Sequence, residues 1–199
     1  MSETKAEKRP LLIGCGIFSK EIAFLKEKNG WPLDTLFLDS ALHVDFNALA
    51  SSLKKALEEN KGRDRVVFYG ACHPRMDTML SEESVFRTVG QNCVSMLLGE
   101  EVFSRELSNG AFFLLEEWAR RWEHIVSKTF GGKMEVAREV FQNETRYLLC
   151  VRTPLSGDFS ADAEKAGILV GLPIRWMDAS LDHLEEALQK KLPWLRTEK

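Results

Sequence analysis

The sequence predicts an α/β fold: a mostly parallel sheet with helices on both faces, a Rossmann-like three-layer sandwich. Three observations predict it. Short apolar runs recur along the chain, at Leu11–Ile13, Leu33–Leu38, Arg65–Tyr69 and Tyr147–Val151. Stretches with apolar residues at helical spacing lie between them. The apolar runs are continuous rather than alternating, as strands are when both faces are covered.

Each element follows in order. Leu11-Leu12-Ile13 ends at Gly14-Cys15-Gly16, and Phe18, Ile22 and Leu25 then stripe a helix that Gly30 can stop. Leu33–Leu38 is the second strand, closed by Asp39-Ser40. Asp45 caps a helix striped by Phe46, Leu49, Leu53 and Leu57. Arg65–Tyr69 is the third strand, and Pro74 suits the first turn of the helix after it. Val85–Val89 reads as a short fourth strand, and Asn92 caps Val94–Leu98. A helical piece spans Val102–Leu107, with a turn at Asn109-Gly110. Ala111–Leu115 reads either as a strand or as the start of a helix running to Lys128. Met134, Ala137 and Phe141 stripe a further helix. Tyr147–Val151 is a strand, Ala161–Val170 a helix and Ile174–Met177 a strand. Leu181, Leu184 and Leu188 stripe the last helix. Residues 1–9 read as a disordered tail, and 10–195 as a single domain.

Composition narrows the function. The chain has 199 residues and a net charge of −3, with no basic block, so it lacks the footprint of a nucleic-acid binder. Its longest apolar run, Ala111–Leu115, is too short to span a bilayer, and its polar start lacks a secretory signal. The expectation is a cytoplasmic protein. There the four cysteines, Cys15, Cys72, Cys93 and Cys150, stay reduced. Nothing in the sequence sets an oligomeric state.

In parallel α/β sheets, ligands bind beyond the carboxyl ends of the strands. Cys15 follows the first strand, Asp39 and His43 the second, Cys72 and His73 the third, and Cys93 the fourth. Taken singly, each cysteine reads as a small buried apolar residue, and Cys150, inside a strand, stays so. Together, Cys15, Cys72 and Cys93 sit where a helix start or a glycine adjoins, an environment expected to lower a thiol pKa. Three thiolates with His43 suit tetrahedral zinc. Three thiolates alone suit an iron–sulfur cluster with one iron open. A third option is metal-free: Cys72 with His73 or His43 as nucleophile and base.

Other residues bear on small-molecule binding. Gly14-Cys15-Gly16-Ile17-Phe18-Ser19 partly matches the dinucleotide fingerprint, and Asp39 ends the strand where an acid would meet a ribose. Gly70 permits close backbone approach. Arg75, Arg87 and Arg152 lie near strand ends, where a guanidinium can clamp a carboxylate or phosphate, though surface arginines are common. Trp118 and Trp122 share a helix face, as either a core stripe or the wall of a pocket for a flat ligand. Glu116-Glu117 reads as the acidic first turn of that helix.

The chain resembles a family known as domain of unknown function 1638, found in bacteria and archaea. The resemblance rests on Cys15-Gly16, Leu42-His43, Tyr69-Gly70-Ala71-Cys72, Arg87 with Gly90, Asn92-Cys93, Leu97-Leu98-Gly99, Gly110–Leu114 and Trp118. It runs from Leu11 to Leu188. It implies one α/β domain and an association with corrinoid-dependent methyltransferases and one-carbon enzymes. Many relatives carry glycine after the third-strand cysteine, where this chain has His73-Pro74.

Two functions are therefore expected. One is a metal- or iron–sulfur-binding accessory or redox protein, linked to corrinoid or methyl-transfer metabolism, with Cys15, His43, Cys72 and Cys93 as ligands. The other is a metal-free enzyme or binding module for an anionic small molecule, a nucleotide or methyl donor. It would use Gly14, Gly16, Asp39, Gly70, Arg75 and Arg87.

Overall fold

Leu11–Cys15 forms β1, and all five residues are buried. A strand that is apolar on both faces has to lie inside a sheet, and β1 does: it pairs in parallel with β2 (Asp34–Leu38) on one side and β3 (Arg65–Phe68) on the other. A two-residue strand, β4 (Phe86–Arg87), pairs with β3 and completes the order β2-β1-β3-β4. The computed structural model describes residues 9–88 and 90–192. The expected tail, all but Arg9, lies outside the described residues, as do Val89 and the domain's last residues, 193–195.

The second half builds a sheet of its own. Ala111–Leu115 is a strand, β5, pairing in parallel with β6 (Tyr147–Arg152), which pairs with β7 (Ile174–Asp178). The chain is thus α/β with parallel strands, as expected, but in two sheets instead of one. β4 is too short to pass the ladder on. The Arg87 guanidinium also donates to the carbonyls of Thr88 and Gly90, each at 3.2 Å.

Helices connect the strands: α1 (Ser19–Asn29), α2 (Phe46–Glu59), α3 (Met76–Glu82), α4 (Cys93–Leu98), α5 (Glu100–Ser108), α6 (Glu116–Arg120), α7 (Trp122–Thr129), α8 (Met134–Glu144), α9 (Ser160–Val170) and α10 (Asp182–Lys191). Gly30 ends α1 with a left-handed φ of 62°. Asp45 caps α2, accepting from the Ala48 N–H at 3.0 Å. Pro74 lies before α3 rather than in its first turn. Phe46, expected in the core stripe of α2, is the first residue of the helix and is 52% exposed.

Period-two alternation in β6 joins two cores. Tyr147, Leu149 and Val151 pack into a cluster with β1, β3, α4 and α10. Leu148 and Cys150 face the other way, into a cluster with α7, α8 and α9. Cys150 is fully buried there as a small apolar side chain. No helix of the described residues is long and apolar enough to cross a membrane.

Candidate functional site

The three sheet-edge cysteines reach one cavity. Cys15 ends β1, Cys72 lies in the loop after β3, and Cys93 opens α4. With His43 and Tyr69 they line a space of about 730 Å³ between the first sheet and the helices that follow β5. Asp39 and Gly70 line it too.

Gly70 is what brings two of the loops together. A Cβ there would stand 2.4 Å from the Asn92 Cα and 2.6 Å from the Gln91 carbonyl oxygen. The Ala71 N–H donates to that same oxygen at 2.8 Å. The loop carrying Cys72 therefore lies directly on the turn carrying Cys93. A reciprocal cap fixes that turn: Asn92 Oδ1 accepts from the Ser95 N–H at 2.9 Å, and Ser95 Oγ accepts from the Asn92 N–H at 3.2 Å.

Burial sets the state of the thiols. It pushes Cys15 up to about 12, and the negative charges that Cys72, Glu117 and Asp39 can bear push the same way. Burial also raises Cys93 well above its ordinary value, with Cys15 and Cys72 adding to the shift. Cys72, only half-buried, is raised by burial and partly relieved by the Gly70 backbone and by Arg87. The expected lowering by helix starts is overturned, because loss of water around a thiolate outweighs a few backbone N–H groups. A charge on Cys72 would disfavour ionising Cys15, and a charge on either would disfavour ionising Cys93. All four cysteines of the chain are free thiols.

His43 is held in one tautomer. Its Nδ1 lies 2.6 Å from the Ser40 carbonyl, which can only accept, so Nδ1 carries the proton and Nε2 the lone pair. Its ring lies on Trp118, centroid to centroid 4.7 Å. Behind it runs a charged brace that sequence reading missed. Ser40 Oγ donates to Glu117 at 2.6 Å, and Arg121 donates to Glu117 at 3.3 Å and to both oxygens of Asp39 at 2.5 and 3.1 Å. Arg121 holds the Asp39 carboxyl below its ordinary range. The available signal was the i, i+4 spacing of Glu117 and Arg121. Glu117 is thus more than an acidic first turn.

The far wall is aromatic. Trp122, Phe112 and Phe141 meet edge to face, with centroids 5.0 to 5.5 Å apart. Trp118 and Trp122 act both as core and as cavity wall. The Tyr69 hydroxyl and the indole N–H groups of Trp118 and Trp122 are buried without a hydrogen-bond partner among the described residues.

The remaining expected residues lie elsewhere. Gly14 sits inside β1, where a Cβ would meet the Phe68 Cβ at 3.3 Å, so its smallness serves packing across the sheet. Gly16 begins a 3₁₀ turn, Gly16–Phe18, whose Ile17 and Phe18 are buried. A Cβ on Gly16 would come 3.0 Å from the Leu38 carbonyl oxygen. The Gly14–Ser19 stretch is thus the end of β1, a packed turn tight against β2 and the first residue of α1. Arg75 is exposed, and its backbone N–H donates to His73 Nδ1 at 2.9 Å, which makes His73 a turn-capping residue outside the cavity lining. Arg87 is paired with Asp77 at 2.6 Å, and Arg152 with Asp178 at 2.8 Å. Among the described residues, no three His, Cys, Asp or Glu side chains are already gathered so as to hold a metal ion.

A family model described as "Protein of unknown function (DUF1638)" matches residues 37–188. The matched stretch includes His43, Cys72 and Cys93 and begins after Cys15. No curated protein and no solved structure matches the chain.

Proposed function

The chain belongs to that family of proteins of unknown function, and we propose that its cavity is a cysteine-ligated metal site. Cys15, Cys72 and Cys93 would hold an iron–sulfur cluster or zinc, with His43 as a fourth donor. The observation that carries this reading is that three thiols, from distant parts of the chain, line one cavity. The donor set fits: thiols are the soft ligands that both centres take. His43 has the form of a ligand whose second nitrogen donates to a carbonyl. Because the thiols are neutral in the fold, ligation must displace their protons, and affinity rises with pH. It must also draw together donors that are not yet gathered.

The aromatic remainder of the cavity suits a flat organic partner beside the metal, in an accessory or redox role. A place next to corrinoid-dependent methyl transfer rests on the family resemblance alone. Free thiols fit a reducing compartment such as the cytoplasm. The metal-free alternative for an anion is less well supported, because among the described residues this cavity's lining carries Asp39 and Glu144 but no lysine or arginine.

The test is anaerobic purification, with zinc, iron and acid-labile sulfide measured before and after reconstitution. About one zinc per chain, or iron with matching sulfide, is expected. Cys72→Ser and Cys93→Ser should each lower the content. A chain that stays colourless and metal-free after reconstitution would remove the proposal.

A further inference from the structure

The thiols account for only part of the cavity they line. Phe112, Trp118, Trp122, Phe130 and Phe141 line it as well. Phe130 adjoins the edge-to-face cluster of Phe112, Trp122 and Phe141, its ring centre 6.2 Å from that of Phe141. The hydroxyls among these rings are already committed. Thr129 Oγ1 donates to the Ile125 carbonyl at 2.8 Å, and Thr145 Oγ1 to the Phe141 carbonyl at 2.6 Å. The indole N–H groups of Trp118 and Trp122 are buried in the packing. What this part of the cavity offers a guest is ring surface.

Its mouth is apolar too. Phe46, Leu107 and Val140 line the cavity and are 52%, 52% and 41% exposed. They are three of the seven large apolar side chains exposed among the described residues. They reach this one cavity from three separate helices, α2, α5 and α8. Exposed apolar side chains gathered at the rim of a cavity mark a binding groove.

We propose that the aromatic part of this cavity binds an uncharged molecule built on a flat, fused ring system. The guest is uncharged because, among the described residues, the lining has no lysine or arginine to meet an anion. Its acids do not call for a cation either: Asp39 is paired with Arg121, and Glu144 is exposed to water. The guest is flat because aromatic walls favour offset or edge-on contact with a further ring. A rigid ring also gives up less conformational freedom on binding than an alkyl chain does. A space of about 730 Å³ suffices to enclose most of such a molecule. The proposal rests on the reading of this cavity as a ligand site and names its organic partner, but it needs no metal.

Fluorescence titration of the full chain with N-phenyl-1-naphthylamine, which brightens in apolar surroundings, tests this. Saturable binding is expected. 8-Anilinonaphthalene-1-sulfonate, the same ring system with a negative charge, should bind roughly tenfold more weakly. 2-Naphthalenemethanol should displace the probe roughly tenfold better than undecan-1-ol, a flexible chain of equal carbon count. Val140→Trp and Leu107→Glu, at exposed rim positions that the fold does not depend on, should each weaken the probe about tenfold. Ile168→Trp, at an exposed apolar position outside the cavity lining, should leave binding unchanged. The chain stripped of metal by a chelator should bind the probe as well as the reconstituted chain. Uptake of metal without the probe would overturn this proposal alone, and uptake of the probe without metal would overturn the metal reading alone. Equal binding of the sulfonate, equal displacement by undecan-1-ol, or binding that survives both rim variants would also overturn it.

Discussion

The two crevices of this protein treat ionisable groups in opposite ways. In the thiol cavity, Cys15, Cys72 and Cys93 are kept neutral, because burial raises all three and, among the described residues, no lysine or arginine lines the space. In the polar crevice at the carboxyl ends of β1, β5 and β6, Glu116 is held below its ordinary range by Lys20, the Gly157 N–H and Arg120. Both adjoin the end of β1, and α6 contributes to each, Trp118 to the first and Glu116 to the second. A sheet edge therefore fixes where ligands can enter, while the residues just beyond each strand decide what charge a ligand can carry.

High pH should break this contrast most strongly. Cys15 rises from an ordinary 9.0 to about 12 on folding, so the folded chain holds that proton more tightly than the unfolded chain. Stability from this thiol is complete below about pH 9 and is lost as pH rises towards 12. A shift of that size corresponds to a loss on the order of 4 kcal/mol. Urea unfolding of the metal-free chain between pH 8 and 11 should show a falling midpoint, and Cys15→Ala should flatten the fall. An unchanged slope in that variant would place the alkaline sensitivity elsewhere.

Next in size is Gly70→Ala. The added methyl would meet backbone atoms, which cannot rotate away, at 2.4 and 2.6 Å. The loop must then leave the Asn92 turn, at a cost of roughly 3 kcal/mol. Denaturant titration reads the cost. The same variant should lose metal capacity if Cys72 and Cys93 act together. Full stability would show that the close approach of the two loops is not needed.

How far the sequence disclosed these features depends on the range of the interaction. Local signals were legible: Asp45 and Asn92 cap as their types require, Gly30 ends α1, and Leu181, Leu184 and Leu188 are buried. The placing of Cys15, Cys72 and Cys93 at strand ends was legible too, because it follows from element order. What escaped was pairing between distant segments. Ser40 with Glu117, Asp39 with Arg121 and Glu21 with Thr153 each join residues at least 77 positions apart. No periodicity announces them. Division into two sheets escaped for a related reason, since strand order is a tertiary choice that local propensity does not make.

The brace behind His43 gives a smaller effect. Arg121→Met removes pairs that are about one-third to one-half exposed, so about 1 kcal/mol is expected at neutral pH. Its pH dependence has a definite sign. Asp39 titrates below its ordinary 3.8, so its contribution is present above that value and fades as pH falls through the lowered one. In the variant this acid-side loss should shrink. The imidazole NMR signals of His43 should broaden as Ser40 and Glu117 lose their anchor. Sharp, unmoved signals would mean that Trp118 and the Ser40 carbonyl suffice to hold the ring.

The smallest effect on stability should come from Phe46, and it sharpens the comparison by separating access from folding. Phe46 lines the thiol cavity yet is 52% exposed, and its ring stands edge-on to His73 at 5.6 Å. Little apolar area is lost in Phe46→Ser, so the change in unfolding free energy should stay within about 0.5 kcal/mol. Entry to the cavity should change more. Cys72 is the least buried of the three thiols and also lines the neighbouring groove beside β4, so a reagent can reach it without unfolding. Its alkylation by iodoacetamide should quicken roughly two- to five-fold as the ring is removed, while the enclosed, more strongly raised Cys15 and Cys93 stay slow. Mass spectrometry of the alkylated chain resolves the three sites. Equal acceleration at all of them would mean that the variant loosens the fold, and no acceleration at Cys72 would mean that the thiol is reached from the β4 side alone.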